Sequence, residues 1–463
     1  MAQEKWDLRR CVEYALANNI SIKLTALQSK IADIQYGQNK LSQYPTLSFS
    51  NNSSFNNGST QDPTTYSLVT QSYLYSGFQL QSSVQIFNWY SKQNSIAASR
   101  WQAEAAKAST DKLKNDISLD VANAYLQVLL SNEQQKIAEV QLQQSKAQLD
   151  NTKKLVDAGS LPELNATELE AQVATDSANV ISAKGNVEQS VLALRAYMNI
   201  DAAAAFEVDE PPVETIPVEN IADLQPDAVY ASALVNLPQQ RVNDFKLKAA
   251  QKNADVAKAG LYPVISGFGA LNTRYIELKT PLYQQIITGY LPTGLVANVN
   301  GTNYNVNEPI IENGSKVGYY NSDAFGNQLN ENFNQAVGIS ISIPIFNGNS
   351  ARSNWQISKL NVKNAEFQKE ADNQTLKQNI YQAYNAAIVA IEKFSASAKA
   401  EASAQSSYDF AEKRYKVGML STIELITDQN SLLSAKLQHV QDQFDYVFKM
   451  KVLEFYKGLG LKL

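Results

Sequence analysis

The stretch that decides the fold is residues 121–159, VANAYLQVLLSNEQQKIAEVQLQQSKAQLDNTKKLVDAG. Two stripes run through it at a spacing of seven: Val121, Val128, Gln135, Leu142, Leu149, Val156, and beside them Ala124, Ser131, Ala138, Ser145, Thr152, Gly159. Together they make an a/d-like seam on one long helix, with one side of the seam built only from small residues that let a neighbouring backbone come close. No proline falls between Tyr90 and Leu161, so nothing removes a backbone donor or forces a break. A helix from Ile96 to Val156 would be on the order of 90 Å long. A compact globular domain has no use for that.

The same pattern returns 259 positions later. Ile380, Ala387, Phe394, Glu401, Tyr408, Tyr415 match the first stripe, and Ala383, Ala390, Ser397, Ala404, Ala411, Gly418 match the small one. Phe87-Asn88 returns as Phe346-Asn347, each 72 residues before its glycine, and Tyr44-Pro45 returns as Tyr262-Pro263. The chain is therefore one body of two similar halves, 1–198 and 226–463, joined by a connector at 199–225.

Composition bounds what such a body does. A net charge of −5 and a pI near 5.3 give no reason to expect nucleic acid as a partner. One cysteine, Cys11, and one histidine, His439, exclude an internal disulfide framework and argue against a cysteine or histidine metal site. Gly-rich phosphate loops and H-E-x-x-H are missing, and His439 lies within a regular helical pattern, so we expect no catalytic residues, no metal site, no cofactor and no enzyme activity. Charged residues make up only 18%, below the roughly 25% usual in soluble proteins. No apolar run approaches 18 residues, so no transmembrane helix is expected. No signal peptide is visible either; Met1-Ala2-Gln3 before a structured start reads as a secreted sequence whose native signal has been removed.

Along the chain, Asp7 is the expected N-cap of a helix over Leu8 to Asn18, and Ser21 of a second running to about Leu41 with Leu24, Leu27, Ile31 and Ile34 as its apolar marks. Tyr44-Pro45 stops it. From 46 to 87 the period changes to two. After Leu47 and Phe49, the polar run Asn51 to Thr65, with Asn56-Asn57-Gly58 and Asp62-Pro63, reads as a turn or loop. The return strand sets Phe78, Leu80, Ser82, Val84 and Ile86 against Gln79, Gln81, Ser83 and Gln85. The second half repeats this with helices over 226–237 and 242–261 and a hairpin over 264–346. Its return strand sets Val337, Ile339, Ile341, Ile343 and Ile345 against Gly338, Ser340, Ser342 and Pro344. Between its strands an Asn-, Gly- and Tyr-rich insert at about 273–333 reads as a long loop. Strands of about ten residues suit a tilted bilayer crossing. Two hairpins cannot close a barrel, however, and open edges cannot sit in lipid, so a membrane reading requires several copies. From Asp201 to Asp227, across the connector and just beyond it, there are eight acidic residues and no Lys or Arg, among them Glu207, Glu210, Glu214 and Glu219; such a run is most often a solvated face.

These marks coincide in order, twice, with a known family. Trp6-Asp7-Leu8 leads to Ala15-Leu16-Ala17-Asn18-Asn19, Tyr-Pro enters each hairpin, Ile-Phe-Asn leaves at 86–88 and 345–347, and Tyr415-Lys416-Val417-Gly418 precedes the last helix. From about Trp6 to Tyr456 the chain resembles the TolC-like outer-membrane efflux proteins of Gram-negative bacteria. The resemblance implies a homotrimer in which each chain gives four strands to a twelve-stranded β-barrel in outer-membrane lipid. Its long helices would join an α-helical tunnel through the periplasm. The duct would engage a periplasmic adaptor protein and an inner-membrane pump, with the 273–333 loop extracellular.

The resemblance also implies a gate at the helix turns. Glu424 aligns with the first of two ring aspartates of the family; the second position is Thr427, with Asp428 adjacent. Leu420 stands where an arginine often clamps the closed state, Tyr415 keeps its aromatic match, and Gly418 makes the turn. The comparable positions of the first half are Gly159, Leu164 and Asn165. A solvated helix-start carboxylate is the plainer reading of Glu424. By period two, the lumen would be lined by Gln79, Gln81, Ser83, Gln85, Ser340 and Ser342. Phe78, Leu80, Val84, Ile86, Val337, Ile339, Ile341, Ile343 and Ile345 would face lipid. The rival readings are a periplasmic adaptor, which lacks a duplicated helix–hairpin–helix unit, and a soluble coiled-coil structural protein.

Overall fold

The computed structural model describes residues 5–61, 68–213 and 216–458, so Asp62-Pro63 and Glu214 lie outside it. Nine helices and five strands follow in the order α1 (Leu8–Asn18), α2 (Ile20–Leu41), β1 (Thr46–Gln61), β2 (Leu68–Phe87), α3 (Ser91–Asp157), α4 (Glu163–Met198), α5 (Pro226–Asn236), α6 (Pro238–Ala259), β3 (Val264–Val299), β4 (Thr302–Asn321), α7 (Phe325–Glu331), β5 (Asn334–Ser342), α8 (Ser350–Lys416) and α9 (Thr422–Tyr456), counted among the described residues. They form two units. One comprises Met1–Gln38, Gln93–Ala257 and Ser353–Leu463; the other comprises Asn39–Lys92 and Lys258–Arg352.

The first unit is helical. Asp7 caps α1 as expected, accepting a hydrogen bond from the Arg10 amide at 2.8 Å. The second cap is not Ser21 but Asn19, whose Oδ1 accepts from the amides of Ser21 and Ile22 at 2.9 and 3.3 Å. With Asn19 already turning the chain, α2 starts one residue before Ser21. The helices α3 and α8 each run for 67 residues, about 100 Å. On α3 the larger stripe packs first, with Val121 and Val128 buried and Ala124 half-buried; from 131 onward the small stripe takes over, Ser131, Ala138, Ser145 and Thr152 being buried while Gln135, Leu142, Leu149 and Val156 are half-buried. One core cluster gathers Cys11, Val121, Tyr125, Val128, Leu194, Met198 and Phe444. A second gathers Leu224, Val229, Ile380, Ala387, Met450 and Leu453. Burial pushes the Cys11 thiol up to about 12, which makes it an inert core residue. His439 stacks on Phe394 with ring centroids 5.2 Å apart.

The connector is fastened down rather than simply solvated. Tyr125 donates to the Asp209 carbonyl at 2.7 Å, and Trp6 and Val208 form a β-bridge. The cations that the acidic run lacks come from elsewhere in the unit: Lys5 pairs with Glu207 at 2.8 Å, Lys136 with Glu210 at 3.0 Å, and Lys457 with Glu219. Sequence separation hid these partners.

The second unit is an antiparallel sheet. β1 pairs with β2, β2 with β3, and one edge of β3 pairs with β5 over 264–272 and with β4 over 279–299. No described strand covers the outer edge of β1 or of β5. Three expectations change here. β1 is regular to Gln61, so the polar run from Asn51 is strand and not loop: cross-strand pairing, helped by Ser53 on Ser76 at 2.8 Å and Ser59 on Thr70 at 2.9 Å, overrides weak local propensity. The 273–333 insert is mostly a two-stranded ribbon, β3 with β4, closed by Asn300-Gly301 with φ of 52° and 83°; both residues of such a tight turn need the left-handed region. Prolines 281, 292 and 309 are tolerated because both strands of a ribbon are edges. Finally, β5 ends at Ser342, so Ile343 and Ile345 fall outside the strand. Pro344 removes a ladder donor and restricts the residue before it.

Between its two partners β3 has a gap, and side chains fill it. Gln328 of α7 accepts from the Ile276 amide at 2.9 Å and donates to the Ile276 carbonyl at 3.0 Å. Asn332 donates to the Arg274 carbonyl at 3.0 Å. An amide side chain thus stands in for the missing strand.

Candidate functional site: the helix turns and the two-faced sheet

Both long helices end in the same way. Gly159 (φ 74°) and Gly418 (φ 73°) sit in the left-handed region. The amides of Gly159 and Ser160 reach the carbonyls of Val156 and Leu155, both at 2.8 Å. Those of Gly418 and Met419 reach Tyr415 and Arg414, both at 2.9 Å. Each is a Schellman cap, whose positive φ calls for glycine. The helices that follow start differently. α4 begins after Pro162 with no side-chain cap and Glu163 in its first turn. Leu164 there is exposed, and Asn165 is half-buried with its amide on the Pro162 carbonyl at 3.1 Å. α9 begins with a full capping box: Ser421 caps the Glu424 amide at 3.3 Å, and Glu424 Oε2 accepts from the Ser421 amide at 3.0 Å and hydroxyl at 2.7 Å. These two bonds, side chain first, and then Arg414 hold the Glu424 carboxyl below its ordinary range.

Glu424 is thus an exposed, ionised carboxylate held in place at a helix start. Thr427 turns back on its own helix, donating to the Ile423 carbonyl at 2.7 Å. Asp428 accepts from Ser407 of α8 at 3.3 Å. Leu420 packs with Tyr415 against Tyr408, Ala411, Leu425 and Leu432, so the turn is held by a small apolar plug. Two contributors escaped the sequence. Arg414 donates to the Met419 carbonyl at 3.3 Å and closes the turn from the side. Tyr415 OH lies 3.1 Å from Thr152 Oγ1 of α3 and 3.4 Å from Thr422 Oγ1 of α9. That hydroxyl ties three helices at the turn end. Thr152 stood in the small stripe and so carried a signal; Thr422 and Arg414 carried none, because their roles depend on which helices meet.

The sheet register sorts the remaining candidates. Residues paired across antiparallel strands share a face. Gln85–Ser266–Ser340 form one row across three strands, and Ser48–Gln81–Ala270–Ala336 form another across four. Gln79, Ser83 and Ser342 fall on this same face through Asn272, Phe268 and Val264. The other face carries Val84–Gly267–Ile339, Leu47–Ser82–Gly269–Val337, Phe49–Leu80–Leu271–Gln335 and Ile265–Ile341. Ile86, at a bulge, lies over Gly267 on this face. Over β3 residues 264–272 one face is largely polar and uncharged and the other is oily, Arg274 opposite Gly77 adding a charge farther along the polar face, and β3 links the two groups that the sequence read separately. Two residues qualify the pattern. Phe268 sits on the polar face and covers Gly338, whose missing Cβ makes room for its ring. Phe78 lies beneath Phe325 of α7, with ring centroids 6.3 Å apart.

Long helices capped in pairs and a two-faced sheet open at both edges define the architecture by which this chain is compared with others. A sequence model described as outer membrane efflux protein matches residues 11–199 and 309–453, more than two-thirds of the chain. The chain belongs to that family. Outer membrane protein TolC of Escherichia coli (strain K12) is 25% identical over 334 residues, which cover 71% of this chain and 58% of that protein. The match thus spans just under three-fifths of this curated relative. Among solved structures, CusC aligns over 98% of this chain and 92% of its own with a TM-score of 0.76 at 18% identity. The CmeC outer membrane channel of Campylobacter jejuni aligns over 98% and 87% with a TM-score of 0.73 at 17% identity. The fold is the one these proteins share.

Proposed function

We propose that the chain is one protomer of a homotrimeric outer-membrane duct that passes cargo exported by an inner-membrane pump through a periplasmic adaptor. The observation that carries this reading is the sheet with one oily face, one largely polar face that is uncharged over β3 residues 264–272, and two open edges. Such a sheet is stable in lipid only when closed. Three copies of β1–β2–β3–β5 give twelve antiparallel strands with β5 beside the next copy's β1. The oily face then meets lipid and the row of Gln79, Gln81, Ser83, Gln85, Ser340 and Ser342 lines the lumen.

The helices support the same association. Leu24, Leu27, Ile31 and Ile34 on α2 are exposed, as are Ile357, Leu360 and Phe367 on α8. Two different apolar stripes on one chain suit a head-to-tail contact, which closes into a ring. The duct does no chemistry; it contains, and its gate lies at the turns. There Glu424, one per chain, makes a ring of three carboxylates that favours cations. Thr427, Asp428, Tyr415, Leu420 and Gly418 set one turn, and Gly159, Leu164 and Asn165 the other.

The test is planar-bilayer conductance of detergent-purified protein of measured mass. A trimer giving steady, cation-selective steps is expected. Gln81→Glu or Ser340→Glu should alter selectivity, whereas Ile341→Glu should prevent assembly. Equal effects on both faces, or a detergent-free monomer without current, would sink the proposal.

A further inference from the structure

About 10 Å deeper than the Tyr415 contact, two helical turns along α3, lies a polar group that the gate described so far does not use. Asp176 of α4 is 1% exposed, Ser145 of α3 is fully buried and Gln429 of α9 is 2% exposed. Ser145 Oγ lies 2.6 Å from Asp176 Oδ2, and Gln429 Nε2 donates to Ser145 Oγ at 3.0 Å. Gln172 Nε2 donates to Asp176 Oδ1 at 3.0 Å and to Asn430 Oδ1 at 3.1 Å. Among the described residues no Lys, Arg or His forms an ion pair with Asp176. The carboxylate is held by neutral donors alone.

The bonds have a direction. Gln429 donates to Ser145 and Ser145 to Asp176, while Gln172 donates to Asp176 from the other side. The bonds from Gln429 through Ser145 and from Gln172 converge on one carboxylate and start on α9, α3 and α4, while Gln172 and Asn430 join α4 to α9 beside it. A buried network of this kind strengthens each of its bonds when complete and is costly when one is lost. If α9 moves far enough to break Gln429 from Ser145, the chain of donors loses its head and water must enter to serve the carboxylate. The node therefore has two states, dry and joined or wet and parted, with little between.

We infer that the buried Asp176–Ser145–Gln429 node, with Gln172 and Asn430, is a latch that holds the α3–α4 hairpin to α9 and must part for the turn end to open. Asp176 acts as a positioning residue: it touches no cargo and works through α9. The inference rests on the duct reading for its current-based arm only.

The test is a reversal of the bond directions. Gln429→Glu sets a second carboxylate against Ser145 and should open the latch. The pair Asp176→Asn with Gln429→Glu keeps one carboxylate and one amide. The amide introduced on α4 then donates to Ser145, and Ser145 donates to the carboxylate introduced on α9. Expected is a rise of about tenfold in open-state current and in amide exchange over 422–432 for Gln429→Glu, the population change from losing one charge-assisted bond. The double variant should return both to parent values. A double variant no better than Gln429→Glu overturns the latch. Should Gln429→Glu fail to assemble, Ser145→Ala removes the middle link without adding charge. Exchange should then rise over 422–432 and not over α5; an equal rise in both, or none, also overturns it. No current from parent or variants, with exchange following the expected pattern, refutes the duct and leaves the latch standing.

Discussion

The helices α3 and α8 have the same length, the same heptad stripes and the same glycine cap, yet they live in different surroundings. Among the described residues α3 buries eighteen and α8 six. Where α3 packs Val121, Tyr125 and Val128 against α1, α4 and α9, α8 leaves Leu360 and Phe367 68% and 64% exposed in its first part. Duplication copied the helix but not its neighbours. The lesson is that α3 is packed by its own chain, whereas the first part of α8 is left bare by it, the surface that the proposed trimer would cover.

Charge substitutions break this contrast if it is wrong. Val128→Asp places an unpaired carboxylate in a full core and should cost about 4 kcal/mol or more, enough to lose the folded protein. Leu360→Asp should leave helix content by circular dichroism intact while shifting the mass from oligomer to monomer. If both unfold the chain, or both are silent, the contrast fails. A smaller effect is expected where the repeats agree. Gly159→Ala and Gly418→Ala meet no atom within 4 Å of the new Cβ, so each should lose only the left-handed preference, about 1–2 kcal/mol, and lose it equally in thermal melts. The smallest effect sharpens the difference between the two turns. Because the folded state depresses the Glu424 pKa, the stabilisation is present above the unfolded value and fades as pH falls through the folded one, below about pH 4. Amide exchange at 422–427 should rise over that window in the parent and not in Glu424→Gln, with no such change at the start of α4.

Much of this was legible because it repeats. The stripes, the Tyr-Pro entries and the Phe-Asn exits fixed the helices to within a few residues, and period two sorted Gln79–Gln85 from Phe78–Ile86 onto opposite faces of the sheet. What stayed hidden depends on partners remote in sequence. The β3–β4 ribbon reads as loop because Asn, Gly and Pro are poor strand formers, and only pairing outweighs them. Ile343 and Ile345 continue an alternation that Pro344 has already ended. Asp176 looks like any polar helix residue until Ser145 and Gln429 are brought beside it. Even the exit turns show the limit: Gly348 and Asn349 announce a left-handed backbone, while Trp89 and Tyr90 hold the same φ sign with nothing in their identity to say so. Ring contacts of Trp89 with Tyr262 at 4.7 Å and with Phe87 at 5.4 Å offset that strain.

The bare edges of β1 and β5 impose an order of events. A newly made copy carries two rows of unsatisfied backbone groups and has no lasting place in hydrocarbon. If the proposed trimer forms, such a copy must first meet its own kind, and barrel closure would be a collision whose pace climbs with protomer supply, unlike the self-contained folding of the α3 core. Until that meeting the waiting species offers strand edges to any other chain. Scarcity of copies, more than weakness of the finished wall, then becomes the hazard in its biogenesis.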